Sequence, residues 1–509
     1  MPRPLGRFVV VEAVSLRSAA LELAPSAPDR RWTLAAVCTT TFMLLLDITV
    51  VNVALPNIQQ DLDASLTGLQ WVVDAYALTL AALILTAGAL ADRYGRRLLF
   101  MVGVVIFTLS SLTCGLAWNI AVLDVSRAVQ GVGGAALFAT ALALIGAEYG
   151  GPDIGGAIAV WGATIGVAVA SGPLVGGILT DALDWRWVFF VNVPVGAFAL
   201  FVAMTRMRES RDPQATRTDV WGLLTFSVSL FLIVFGVLRG NAEGWSSAQI
   251  LGSLIGGGVL LAAFVVVEHR QARPMLELDL FSHPGFVGVS IATFCIGAGM
   301  FALFPYLSIY LQNVLGYSPL GAGLRFLPLT VFVFVVPLVK QKLAPGASLR
   351  WLLAGGLALV AVALVLMYGL TPSSSWTALL PGLIISGIGI GLANPAIAQA
   401  ALRAVDPSRT GMASGINNAC RLTGVAVGVA ALGAVLEDRI STSLVSSLGP
   451  RGESLASAVA ATGTRVAANE PGLAHPATVA YVSGLNTTLL VSCAIVAVGA
   501  LAAGLLMRS

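Results

Sequence analysis

Apolar runs of about 20 residues recur along this chain, each long enough at ~1.5 Å per residue to cross a hydrocarbon layer ~30 Å thick. The pattern predicts fourteen spanning helices, roughly at 32–55, 70–91, 98–117, 121–146, 156–180, 187–206, 219–238, 248–267, 285–309, 320–340, 350–370, 376–400, 411–436 and 480–507. Six precede the basic segment Arg206–Asp219, six follow the polar segment Glu268–Pro284, and two lie between. The expected fold class is an all-α polytopic membrane protein: two six-helix bundles around a central cavity, plus two extra central helices. The chain then divides into an N-terminal tail (1–31), a first bundle (32–206), two linker transmembrane helices with flanking loops (207–284) and a second bundle (285–509). Residues 437–479, rich in Ser, Ala and Gly, read as one long outer loop, a mobile or partly helical cover.

Composition agrees with that pattern. Of 509 residues 57% are hydrophobic and only 10% charged, against about 25% charged in a soluble domain. The five cysteines all fall in apolar runs, which implies no disulfide framework. The apolar stretch Phe8–Val14 is too short and interrupted for a signal peptide, so residues 1 to about 30 read as a cytoplasmic tail. With the N-terminus inside, the inner segments carry 20 of the 28 Lys and Arg residues. Outer loops carry Arg186, Arg239, Arg439, Arg451 and Arg465, and Arg127, Arg325 and Arg421 fall within spans. The positive-inside rule therefore predicts a multi-pass protein of the cytoplasmic membrane with both termini in the cytoplasm.

Charges inside spans are where chemistry is expected, because hydrocarbon penalises them. Asp47 lies about 12 Å along span one from its outer end, at ~1.5 Å per residue. It is either a packing or capping carboxylate or a working one in a membrane pathway, and the second reading is favoured by its depth. Arg127, one turn into span four, either snorkels or is a buried cation that needs a carboxylate. Asp47 and Asp74 are both at suitable depth, and the three make a candidate proton or substrate site. A carboxylate there would hold a proton while the cation is away and release it as the cation approaches.

Two further segments read as conformational. Gly88-Ala-Leu-Ala-Asp-Arg-Tyr-Gly-Arg-Arg97 is a tight inner turn: Gly95 permits the turn, and Arg93, Arg96 and Arg97 anchor it to the anionic leaflet. Asp92 either organises that turn or acts as a charge latch between moving halves. In span five, Gly162, Gly166 and Ala170 precede Gly172-Pro173-Leu-Val-Gly176-Gly177, a face of small residues with a helix-bending proline. Close packing alone accounts for it equally well. Asn52, Gln130, Asn192, Asn394, Gln399, Asn417, Asn418 and Arg421 are polar positions that bridge helices more often than they line cavities. Trp71, Tyr76, Phe301, Phe304, Tyr306 and Tyr310 offer a greasy wall, although most such residues are core or interfacial belt. No Asp or Glu lies well inside a span of the second half.

There is no Gly-x-x-x-x-Gly-Lys-Ser/Thr loop, no zinc-type Cys/His cluster and no nucleophile–base arrangement. The expectation is a non-enzyme with no cofactor, no metal and no nucleic-acid partner.

Leu46-Asp-Ile-Thr-Val-Val-Asn-Val-Ala-Leu-Pro56 resembles the first-helix signature of the fourteen-helix drug:proton antiporters of the major facilitator superfamily. Gln70–Tyr76, Gly88–Arg97, Arg127–Gly131, Gly172–Gly177, Trp185–Pro194, Tyr310–Pro319 and Gly411–Asn418 follow in that family's order. The resemblance implies proton-driven export, with the proton gradient as energy source. It makes Asp47 and Asp74 proton or cation sites, puts Arg127 in the relay and has Asp92 stabilise the outward-open state. It makes Gly172–Gly177 the antiporter motif, although Ala168 replaces a glycine frequent there. Loop Val339–Arg350 has no acidic residue, so the second half lacks a matching latch. The expected function is export of amphipathic drugs, antibiotics or similar small molecules across the cytoplasmic membrane. One charge moved down 100 mV supplies ~2.3 kcal/mol, roughly a 50-fold solute gradient. The alternatives are a dedicated exporter of one physiological solute or secondary metabolite, and a non-transporting sensor or scaffold.

Overall fold

A computed structural model describes residues 27–64, 66–149, 153–211, 220–271, 278–344, 346–403, 405, 410–464 and 471–507. Most of the expected N-terminal tail, together with Arg217, Arg273, Arg409, Arg465 and Arg508, lies outside the described residues, as do the side chains of Asn52 and Pro173. The first six helices are α1 (Ala27–Asp61), α2 (Leu66–Tyr94), α3 (Arg96–Gly115), α4 (Ile120–Glu148), α5 (Asp153–Ala182) and α6 (Asn192–Arg206). A linker pair follows, α7 (Val220–Glu243) and α8 (Ala248–Arg270). Then come α9 (Pro284–Gly299, continued in short turns to Val314), α10 (Pro319–Leu343), α11 (Leu349–Leu366), α12 (Leu380–Arg403), α13 (Thr410–Leu448), α14 (Arg451–Thr462) and α15 (Pro471–Leu506).

Each of the fourteen predicted spans falls on one of these helices. Twelve carry described stretches long and apolar enough to cross a membrane; α5 and α7 carry shorter ones, Asp153–Ile165 and Trp221–Val237. Apolar side chains point outward as well as inward, as lipid requires. Leu251, Ile255 and Val259, spaced by four on α8, are 45%, 64% and 64% exposed.

The segment 437–479, expected as a loop or partly helical cover, is mostly helical among its described residues: α13 runs on to Leu448, α14 fills Arg451–Thr462 and α15 starts at Pro471. Leu436, Ile440 and Leu444 recur at helical spacing and bury against a core that includes Ala477, Ala480 and Tyr481 of α15. Glu437, Asp438 and Arg439 lower the local hydropathy without breaking that period, so a window tuned to spanning length stops too early.

Two large apolar cores lie in the chain, one built mainly from α1–α6 and one from α9–α15. The halves meet along a seam in which α2 and α4 contact α13 while α5 contacts α10 and α12. The linker helix α7 packs on both α2 and α13, so it is wedged against both halves. The turn at Gly95 and the start of α13 lie at the same end of the bundle, here called the basic end.

Candidate functional site

Asp47 lies in the interior of the first bundle, 1% exposed. Arg127 Nη1 of α4 donates to its Oδ2 at 2.5 Å, while Gln130 Nε2 and Asn192 Nδ2 donate to Oδ1 at 3.0 and 3.1 Å. The carboxylate thus draws donors from α4 and α6. Arg127 is equally enclosed and has other partners: Nε donates to Val72 O of α2 at 2.9 Å, and Nη1 also reaches Gln130 Oε1 at 2.8 Å. Its guanidinium lies 4.3 Å from the Tyr76 ring centroid, within cation–π range. Asn192 is held in turn by Ser111 Oγ, whose hydroxyl donates to Phe189 O. The small residues after Arg127 make this approach possible. A Cβ on Gly131 would come within 2.0 Å of Thr79 Oγ1 and 2.5 Å of Tyr76 O, so only glycine lets α2 and α4 approach so closely.

Arg127 therefore takes Asp47 as its partner, and Asp74 lies apart from that pair. Asp74 faces the linker instead. Its Oδ2 is 3.8 Å from Nη1 of Arg239, on α7. Arg239 is no outer-loop residue: it is 4% exposed, within a helix that runs to Glu243. It also donates to Gln70 Oε1 at 2.9 Å and to Glu243 Oε1 at 2.7 and 3.2 Å, and it lies over Trp71. Trp71 in turn stacks on Phe235. Arg239→Leu would leave several polar groups short of a donor. It is expected to lower stability by about 1–3 kcal/mol, read as a lower thermal unfolding midpoint in detergent, and Asp74→Asn added to it should recover part of the loss.

The turn Gly88–Arg97 carries a second constellation. Asp92 Oδ1 accepts Arg96 Nε at 3.0 Å and Nη2 at 2.8 Å, and Oδ2 accepts Met412 N at 2.9 Å. Met412 lies in the first turn of α13, so a carboxylate of the first half satisfies an otherwise open N–H at the positive end of a helix of the second. Gly88 is buried in α2 nearby, and Arg93 stacks on Tyr94 at the end of that helix. Gly95 has φ +123°, and a Cβ there would meet the Glu209 carboxyl at 2.5 Å. That carboxyl accepts Arg97 N and Leu98 N at 3.0 Å each, capping α3. Glu209 was not singled out from sequence; it stands 112 residues from Arg97, and no local pattern links them.

Gly172 and Gly176 of α5 pack on α1. A Cβ on Gly172 would fall 1.8 Å from Thr49 Oγ1, and one on Gly176 would be 3.1 Å from Val53 Cβ. Gly177 is buried on the same helix, which runs unbroken through Pro173. The antiporter-like segment therefore clamps α1 within one turn of Asp47.

Asp47, Arg127, Gln130 and Asn192 come together in one buried cluster, Asp92 and Arg96 in another, and Asp74 joins neither. Gln130 and Asn192, polar span positions that bridge helices or line cavities, both reach Asp47; the i+3 spacing of Gln130 from Arg127 and the place of Asn192 in the Trp185–Pro194 run are the available signals.

The Major Facilitator Superfamily profile matches residues 37–429. The multidrug resistance protein Stp of Mycobacterium tuberculosis (strain CDC 1551 / Oshkosh) is 40% identical over 417 residues, 81% of this chain and 77% of that protein. The puromycin resistance protein pur8 of Streptomyces alboniger is 37% identical over 94% of this chain and 93% of its own length. The cephamycin export protein CmcT of Amycolatopsis lactamdurans is 37% identical over 78% of this chain and 83% of its own. Among solved structures, the human organic anion transporter MFSD10 (TETRAN) superposes with a TM-score of 0.63 over 93% of this chain and 99% of its own, at 13% identity. At that identity the likeness concerns the fold.

Proposed function

The chain belongs to the major facilitator superfamily, and from that premise we propose that it exports amphipathic drugs or antibiotics in exchange for protons. Similarity to proteins named for multidrug resistance, puromycin resistance and cephamycin export supports efflux as the activity. The protein is a multi-pass membrane transporter. We place it in the cytoplasmic membrane with the basic end, and hence both termini, in the cytoplasm. The Asp92–Met412 contact then closes the cytoplasmic side.

The observation that carries the proton reading is the Asp47–Arg127 pair, a carboxylate and a guanidinium enclosed together in the first bundle. When Asp47 takes a proton, the attraction of Arg127 for it falls away. Arg127 keeps Val72 O, Gln130 Oε1 and the Tyr76 face as neutral partners, which offset part of the cost of a buried cation whose counter-charge is gone and leave the rest to drive a movement. Gln130, shared by both, is placed to follow the movement. The protonated and ionised states thus favour different positions of α4 against α1, and Gly172 and Gly176 couple α1 to the seam helix α5. Asp74 and Arg239 give the linker a polar hold on α2, outside this relay.

The test is transport in inside-out vesicles energised by respiration. A panel of cationic, neutral and anionic amphipathic compounds is offered, and the pH gradient is followed by a fluorescent probe. The reading expects at least one compound to discharge the gradient on addition and to accumulate until nigericin collapses it. Accumulation that ignores nigericin would remove the proton from the account.

A further inference from the structure

Arg421 is the third arginine inside a span, and its surroundings differ from those of the other two. It is 7% exposed near the middle of the apolar part of α13, and its Nε and Nη2 have no hydrogen-bond partner among the described residues. No described carboxylate is paired with it. A guanidinium enclosed in this way is costly until an acceptor reaches it.

Its direction follows from its neighbours. Ser414, Asn418 and Arg421 stand at i, i+4 and i+7, on one face of the helix. Ser414 Oγ and Asn418 Nδ2 both reach Phe138 O of α4, at 3.3 and 3.2 Å, so that face is turned to the first half. Because α4 and α13 run in opposite directions, the turn of α13 that holds Arg421 stands opposite the turn of α4 around Gly134. Asn417 Nδ2, one turn before Arg421 on α13, is likewise buried without a hydrogen-bond partner among the described residues, and so is Asn418 Oδ1. The open donors of Arg421 and Asn417 thus lie together on the part of α13 that borders the seam.

We propose that Arg421, assisted by the Asn417 amide, binds an acidic group of the transported molecule, a carboxylate, sulfonate or enolate, at the seam between the halves. The inference rests on the exporter reading for the role of that molecule. An oxyanion satisfies several of these donors at once, which an ammonium or an uncharged ring does not. The charge complement thus selects amphipathic acids among the cargo, where Asp47 alone would point to cations.

The probe pair is 2-naphthalenesulfonate and 2-naphthalenesulfonamide, which share a ring system and differ in charge. Binding to the purified full chain is measured by calorimetry in uncharged detergent, and transport in phosphatidylcholine proteoliposomes. Wild type should prefer the sulfonate by about tenfold or more, the strength of one charge-assisted hydrogen bond. Arg421→Gln should abolish that preference, and Arg421→Lys should retain only part of it. If Arg421→Gln does not fold, the lysine variant still decides the matter. Equal binding of the two probes by wild type, or an undiminished preference in either Arg421→Gln or Arg421→Lys, overturns the inference. The exporter reading fails separately, if wild type moves no compound of any charge.

Discussion

Arg127→Leu is expected to cost about 3–5 kcal/mol of folding stability and to abolish proton-driven efflux. The substitution leaves Asp47 as an isolated carboxylate, still facing Gln130 and Asn192 but without a counter-charge. Arg127→Leu combined with Asp47→Leu removes both charges and fills much of the same volume. Stability should then return to within about 1–2 kcal/mol of wild type, because buried ion pairs are often replaceable by apolar residues. Efflux should not return. The two readouts, thermal unfolding and transport, separate a pair that only holds the bundle together from one that also carries the proton. Recovery of efflux in the double variant would make the pair structural.

Asp92→Asn is expected to open the basic end. Asp92 uses both oxygens: one on Arg96, the other on the Met412 N–H of the opposite half. An asparagine keeps one acceptor and turns an amide N–H₂ toward another donor, whichever way it is flipped. The lost charge-assisted bond is worth about 1.5–3 kcal/mol, so the balance between closed and open basic ends should move by roughly 10- to 100-fold. Ser414→Cys, at a position buried in the closed seam, reports this through its rate of labelling by a membrane-impermeant maleimide from the cytoplasmic side. Labelling should quicken in the Asp92→Asn background. An unchanged rate would mean that the contact does not set the conformational balance.

The helices were legible in the sequence because lipid imposes one strong rule, a long apolar run per span, and all fourteen runs fall on helices. The rule lapses where a helix leaves the apolar layer: α13 continues through Glu437-Asp438-Arg439 on the strength of Leu436, Ile440 and Leu444 alone. That Arg127 needs a carboxylate was legible, because each charge is expensive alone inside a span. Which of Asp47 and Asp74 it takes was not, since depth places a side chain along the membrane normal and says nothing of its azimuth. The Asp74 carboxylate faces the linker, where Arg239 had been counted as a loop cation from its position just beyond an apolar window. Glu209 and Met412 escaped for a related reason. Their bonds join segments 112 and 320 residues from their partners, and one is a backbone amide with no side-chain signature.

The central claim is that protonation of Asp47 drives export. Its most direct test is Asp47→Asn in proteoliposomes, assayed in two modes with a compound that wild type exports. The account predicts that the variant still exchanges labelled for unlabelled compound across the membrane but no longer accumulates it in response to an imposed pH gradient. Proton-driven accumulation at the wild-type rate in Asp47→Asn would contradict it.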